Sequence, residues 1–129
     1  MDRSEEREQA RFVRWCSIPP VRDVAPALVW LFHVPNGGKR DAFVGAQMVA
    51  LGVKRGVPDL LLPVARNRCH GLAIEFKSAT GTTTEDQDRW LGHLQEECWW
   101  CDIARSAEEA REIVSHYLDC PELLAIPLP

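Results

Sequence analysis

Apolar side chains in the first part of the chain recur at helical spacing. Phe12, Val13 and Cys16 form one stripe, and Ser4 is placed to cap a helix running from Glu5 to Cys16. At about 100° per residue Glu5 falls near the centre of that stripe, while Glu6 and Glu8 lie toward its sides. An acid in line with an apolar face needs a reason. Residues 17–26, SIPPVRDVAP, read as a proline-rich connection. Leu28 to Val34 reads as a short buried strand, ended by the turn signal Pro35-Asn36-Gly37-Gly38. Ala42 to Leu51 is predicted to form a helix stopped by Gly52.

Beyond Gly52 the period changes. Gly56-Val57-Pro58-Asp59 leads into Leu60-Leu61-Leu62, an apolar run suited to a strand buried on both faces. Arg66 to His70 forms a polar turn and Leu72 to Lys77 a second strand, so 60–64 and 72–77 are predicted to pair as a hairpin. Thr84 and Gln87 have capping-box spacing at the start of a helix carrying Trp90, Leu91 and Leu94. Trp99 to Ala104 reads as a final strand. Ser106 and Glu109 suggest a second capping box, opening a helix with Ala110, Ile113, Val114 and Tyr117 turned inward. The order α-β-α-β-β-α-β-α predicts an α/β fold, a mixed central sheet flanked by helices.

A chain of 129 residues accommodates one domain, taken as 1–129 with a core over 4–118 and a short tail over 119–129. With 46% hydrophobic and 26% charged residues it has a globular balance. No apolar run approaches the roughly 20 residues that cross a bilayer, and the charged start MDRSEEREQARF lacks the apolar core of a signal peptide. A cytoplasmic location without a membrane partner is the resulting expectation. Five cysteines, an odd number, argue against a disulfide framework. Cys98-Trp-Trp-Cys101 has CxxC spacing but no second ligand pair, and His93 and His116 fit no zinc-finger pattern, so these cysteines read as small hydrophobes.

The net charge of −4 conceals an uneven distribution. Residues 36–77 carry seven basic side chains (Lys39, Arg40, Lys54, Arg55, Arg66, Arg68, Lys77) against three acidic ones, whereas 78–129 carry three against eleven. The middle segment is therefore the expected phosphate-facing surface, with Lys39, Arg40, Lys54 and Arg55 as DNA contacts.

The same segment holds the candidate chemistry. Strand alternation puts Leu72, Ile74 and Phe76 on one face, and Ala73, Glu75 and Lys77 on the other. Asp59 enters at the mouth of the partner strand just after a proline, and a hairpin brings it beside Glu75. Two neighbouring carboxylates repel unless a cation lies between them, and oxygen ligands suit Mg²⁺ or Mn²⁺ rather than zinc. Lys77 can then orient a water and offset developing charge during phosphodiester hydrolysis. Glu5 can join the site if its helix packs beside the sheet, and Gln87 can position Lys77 or a phosphate oxygen. Singly these features are weak: Pro-Asp is usually a turn, Glu-x-Lys an exposed strand face, Gln87 is accounted for by its cap, and His33 reads as a satisfied strand histidine. Their order carries the signal.

That order resembles the PD-(D/E)xK nuclease signature, with Pro58-Asp59 followed by Glu75-Phe76-Lys77. It is closer still to one branch, the VRR-NUC family with its standalone phage and bacterial members. The resemblance is carried by Ser4-Glu5 with Gln9 and Trp15, FHVPNGGKR (32–40), GVKRGVPDLLLPVAR (52–66), GLAIEFK (71–77), Gly81 with Thr84 and Gln87, and the closing helix at Ala110. It implies a restriction-endonuclease-like core using Mg²⁺ or Mn²⁺. By position, Asp59, Glu75 and the carbonyl of Phe76 would be metal ligands, Lys77 the catalytic lysine, Glu5 the acid of the first helix and Gln87 the glutamine after the catalytic strand. Cys98-Trp-Trp-Cys101 departs from relatives, which usually have a glycine and plain strand residues there. Standalone members are similar to Holliday junction resolvases and are expected to dimerise, while the domain of the Fanconi-associated nuclease acts on flaps. The expected function is a structure-selective endodeoxyribonuclease acting on four-way junctions as a homodimer, with Trp99 and Trp100 as candidate interface anchors. A flap or nicking nuclease and a non-catalytic DNA-binding module are the alternatives. Catalytic residues do not choose among branched substrates, because substrate shape is read elsewhere on the surface.

Overall fold

In a computed structural model, which describes residues 2–35 and 42–129, five helices and a four-stranded sheet enclose one core. The first helix, α1 (Arg3–Ser17), starts earlier than Ser4 suggested. Asp2 is the cap: its side chain accepts from the Glu5 N–H, Glu5 reaches back to the Asp2 N–H, and Ser4 donates to Asp2 Oδ1 at 2.6 Å. A carboxylate at the helix N-terminus is a stronger acceptor than a hydroxyl and also meets the helix dipole favourably. The buried stripe is Glu5, Gln9, Phe12, Trp15 and Cys16. Val13, expected inside, is 41% exposed because its phase points away from the stripe.

The proline-rich segment is not a plain connection. It holds a short helix α2 (Pro19–Val24) and a 3₁₀ segment (Pro26–Trp30), each with proline in its first turn, where the missing N–H costs nothing. The apolar run from Leu28 therefore forms a strand only over β1 (Phe32–His33). The 3₁₀ turn buries Leu28, and the ladder is limited by the short partner β2 (Leu60–Leu62), which pairs Phe32 with Leu61 and His33 with Leu60. Helix α3 (Ala42–Ala50) follows.

β2 pairs antiparallel with β3 (Leu72–Phe76), and β3 pairs parallel with β4 (Trp100–Ala104), giving the order β1-β2-β3-β4. β3 is thus an inner strand and all five of its residues are buried. Between them, α4 (Glu85–Glu96) has the expected reciprocal cap of Thr84 and Gln87. Ser106 caps α5 (Ala107–Tyr117), but Glu109 accepts from the Arg105 N–H instead of closing a second box. Successive residues of β4 show the two layers. Trp100 packs against His116 and Tyr117 of α5, while the Cys101 thiol points to the Leu91 carbonyl of α4. The helices therefore flank both faces. Phe12 of α1 contacts Phe76 at 6.2 Å between ring centroids, joining α1 to the α5 side of the sheet.

Residues after 118 belong to the core rather than to a tail. The 3₁₀ segment Pro121–Ala125 buries Leu123 completely, and the Trp15 indole donates to the Ile126 carbonyl at 3.0 Å. All five cysteines are free; Cys98 is exposed at a positive φ of 63°, and burial pushes the Cys101 thiol up to about 11. Trp99 and Trp100 are half-buried rather than free anchors, with Gly71 seated against the Trp99 ring, where a Cβ would come within 2.4 Å. No helix of the described residues is long and apolar enough to cross a membrane.

Candidate active site

The site grows from the register of the hairpin. Leu60 pairs with Ile74, so one step further along the antiparallel pair sets Asp59 opposite Glu75. Asp59 is held at three points: its Oδ2 accepts from the Phe76 N–H at 2.8 Å, and its carbonyl oxygen lies 2.9 Å from the Val34 nitrogen and 2.8 Å from His33 Nδ1. The strand beneath holds Glu75, only 1% exposed, and the chain leaving it holds Lys77, also buried, whose N–H extends the ladder to the Ala104 carbonyl.

Glu75 is the strained member. Burial first, then its hydrogen bond with Asp59 and the Asp59 charge, push its carboxyl up to about 10, against the pull of Lys77, with Glu5 adding to the rise. Two carboxyl groups in hydrogen-bond contact share a proton when no cation is between them. The other Glu75 oxygen, Oε2, is buried and has no hydrogen-bond partner. A buried carboxylate oxygen without a donor, beside a second carboxylate, fits a hard divalent cation. Among the described residues, no three His, Cys, Asp or Glu side chains gather as a ready-made ligand cluster. Asp59 and Glu75 meet directly, whereas Glu5 acts on Glu75 from further away.

Glu5 is nevertheless tied to the end of this strand. Its Oε1 accepts from the Ser78 N–H at 3.0 Å and its Oε2 from the Asp2 N–H at 3.2 Å, so α1 is pinned beside Lys77. Glu6 is exposed, and Glu8 turns to Arg11 at 3.0 Å and to the Ala107 N–H. One turn beyond Glu5, the Gln9 amide lies 2.9 Å from His33 Nδ1. In the sequence, Gln9 and His33 belong to the family resemblance but carry no site role, since His33 meets Asp59, and Gln9 meets His33, through tertiary packing.

The Asp59 carbonyl can only accept, so its hydrogen bond with His33 requires the proton on Nδ1. The Gln9 amide, whose nitrogen faces the same Nδ1, then has to turn toward it the oxygen that otherwise has no partner. His33 thus donates to the backbone of Asp59 with Gln9 orienting its ring. Where the Asp59–Glu75 pair holds a divalent cation, His33→Ala should weaken its binding about 10- to 100-fold, as losses of outer-shell partners do. His33→Asn, which keeps a donor near the Nδ1 position, should recover part of the loss. An unchanged metal requirement in His33→Ala would show that this contact does not set the position of Asp59.

Gln87 does not reach the carboxylates through its oxygen, which accepts from the Thr84 N–H at 2.8 Å; its amide nitrogen is the end left for a ligand. Lys54 and Arg55 are exposed on the loop before Asp59. Gly56 keeps that loop against the start of α4: its φ is +85°, and a Cβ there would lie 2.5 Å from the Asp86 backbone. Lys39 and Arg40 lie outside the described residues.

Comparison with known proteins decides the family. The VRR-NUC domain profile matches residues 39–115, more than half of the chain. The chain belongs to the VRR-NUC family. A solved structure described as a VRR_NUC domain protein superposes with a TM-score of 0.72 at 22% identity, covering 92% of this chain and 91% of that one, and so shares its fold. No curated protein matches. The matched VRR-NUC span includes Asp59, Glu75, Lys77 and Gln87, while Glu5 lies before it. VRR-NUC membership points to a nuclease-type function in DNA processing.

Proposed function

We propose that this VRR-NUC protein is a metal-dependent endodeoxyribonuclease of the PD-(D/E)xK type, selective for branched DNA and favouring four-way junctions, and that it works as a homodimer. The observation that carries the reading is the buried Asp59–Glu75 pair with one orphaned carboxylate oxygen beside Lys77. Asp59, Glu75 and the Phe76 carbonyl would hold Mg²⁺ or Mn²⁺, with Glu5 contributing directly or through water. When bound, the ion supplies charge neutralisation at the scissile phosphate and acidifies a water. Lys77 orients the attacking water and offsets negative charge as the phosphate is attacked. The Gln87 amide nitrogen binds a phosphate oxygen, and Lys54 and Arg55, with Lys39 and Arg40, bind the flanking backbone.

A symmetric junction cut needs two such centres in fixed relation, which a two-fold dimer supplies. The test is cleavage of labelled junction, flap, nicked and linear DNAs with Mg²⁺ or Mn²⁺. Paired, symmetric incision of the junction is expected. Faster cutting of flaps would favour the flap nuclease, and binding without cleavage in either metal would leave only a DNA-binding module. Binding itself should weaken steeply with salt. Replacing Lys54 and Arg55 by Ala should flatten the plot of log affinity against log salt by about 2 per bound protomer, measured by fluorescence anisotropy. An unchanged slope would remove this loop from the DNA contact.

A further inference from the structure

We infer that Arg105 is a positioning residue of the proposed reaction: it clamps the turn that follows β3, so that Lys77 and Glu5 keep their places. The inference rests on the nuclease reading above. Arg105 lies outside the basic middle segment, 36–77, in the acidic last third of the chain. The parallel register brings it to the site. Phe76 pairs with Ala104, so Lys77 and Arg105 are the next residues along, and the Lys77 N–H donates to the Ala104 carbonyl at 3.0 Å. From there the Arg105 side chain reaches back to the turn. Its Nη1 donates to the Ser78 carbonyl and to the Gly81 carbonyl, each at 2.7 Å. One such nitrogen carries two N–H groups, and both are spent on this turn.

Ser78 is thereby held from two sides, since its own N–H donates to Glu5 Oε1 at 3.0 Å. The turn also runs close to that carboxylate: a Cβ on Gly81 would lie 3.7 Å from Glu5 Oε1. The base of the clamp is itself fixed. The Arg105 N–H donates to Glu109 Oε2 at 2.6 Å, and Ser106 caps α5 from the next position. Lys77 therefore sits between two anchors, its own N–H on Ala104 and the pinned Ser78 that follows it. Hydrogen bonds from a guanidinium are about twice as strong as neutral ones, so losing both frees the turn on the far side of Lys77. A shift of about 1 Å at a reacting group costs on the order of 10²-fold in rate. The bonds span one turn, so the chemistry depends on them more than the fold does.

The experiment compares wild type with Arg105→Met, which keeps the apolar stem without the donors, and Arg105→Lys, which keeps a charge and donors. Three quantities are read on the full chain: single-turnover cleavage of a labelled junction, DNA affinity in chelator, and exchange of the Ser78 amide by NMR without metal. Arg105→Met should cut about 10- to 100-fold more slowly, with DNA affinity and its salt slope unchanged. Its Ser78 amide should exchange about tenfold faster or more, and Arg105→Lys should recover part of both losses. In a Glu5→Gln background Arg105→Met should cost less than in wild type, because both residues act through Ser78. Wild-type cleavage by Arg105→Met, or unchanged Ser78 protection in it, would overturn the clamp. A weaker affinity with a salt slope reduced by about 1 would overturn it in favour of a phosphate contact. Faster Ser78 exchange in Arg105→Met, with a wild type that cuts no DNA in either metal, would uphold the clamp and overturn the nuclease reading alone.

Discussion

Lys77→Ala is expected to lower cleavage about 10²- to 10³-fold while the protein keeps a cooperative melt. The lysine is buried beside Glu75 and its charge opposes the rise in that carboxyl. Its removal does not strand a charge, because Glu75 relieves the loss by holding its proton more tightly. Activity is therefore lost without a matching loss of fold. Asp59→Asn keeps an oxygen for the Phe76 N–H but removes the charge, and should abolish cleavage to background. Glu5→Gln should fall well below Glu6→Gln, since Glu5 meets Ser78 just beyond β3 and Glu6 faces solvent. Initial rates on a labelled junction, with melts of each variant, check the series. Near-wild-type rates from Lys77→Ala would remove the proposed mechanism.

Without added metal, Glu75→Gln is expected to melt higher than wild type at pH 8, by on the order of 5 °C. The sign follows from the raised carboxyl. Glu75 ionises near 4.5 when unfolded but is pushed up to about 10 when folded. Across that interval the folded chain binds the extra proton, so stability falls as pH rises; it is fully present only below the unfolded value. Glutamine carries no such penalty, and its advantage should shrink toward pH 5. Adding Mn²⁺ should reverse the order at pH 8. A metal held by Glu75 would have to displace its proton, so apparent affinity should climb with pH, by up to about tenfold per pH unit. Melts at pH 5 and pH 8, with chelator or with Mn²⁺, read both effects. A Glu75→Gln protein no more stable than wild type in chelator at pH 8 would show that the Asp59–Glu75 pair carries no penalty.

The hairpin was legible because period two and a proline before Asp59 leave few ways to place Glu75, and the Thr84–Gln87 cap because its donors and acceptors are local. Helical phase likewise separated Glu5 from Glu6. What could not be read depended on partners far along the chain. His33 and Asp59 are 26 residues apart and meet by backbone and ring, which no spacing rule encodes. The run from Leu28 to Leu31 is equally apolar as a strand or as a 3₁₀ turn; only the short reach of β2 decides between them. The Ala42 helix was visible, but not that none of its residues is buried among the described residues, since burial depends on tertiary packing that a helical period does not encode.

The bond from Trp15 to Ile126 and the complete burial of Leu123 tie the beginning of the chain to its end. During synthesis Asp59, Glu75 and Lys77 emerge from the ribosome long before those residues, while the helix bearing Glu5 still lacks part of its seat. A nascent chain therefore holds Asp59, Glu75 and Lys77 without the staple that keeps α1 beside them. Full assembly of this centre waits for residues 121–126 to be made and to fold back on α1.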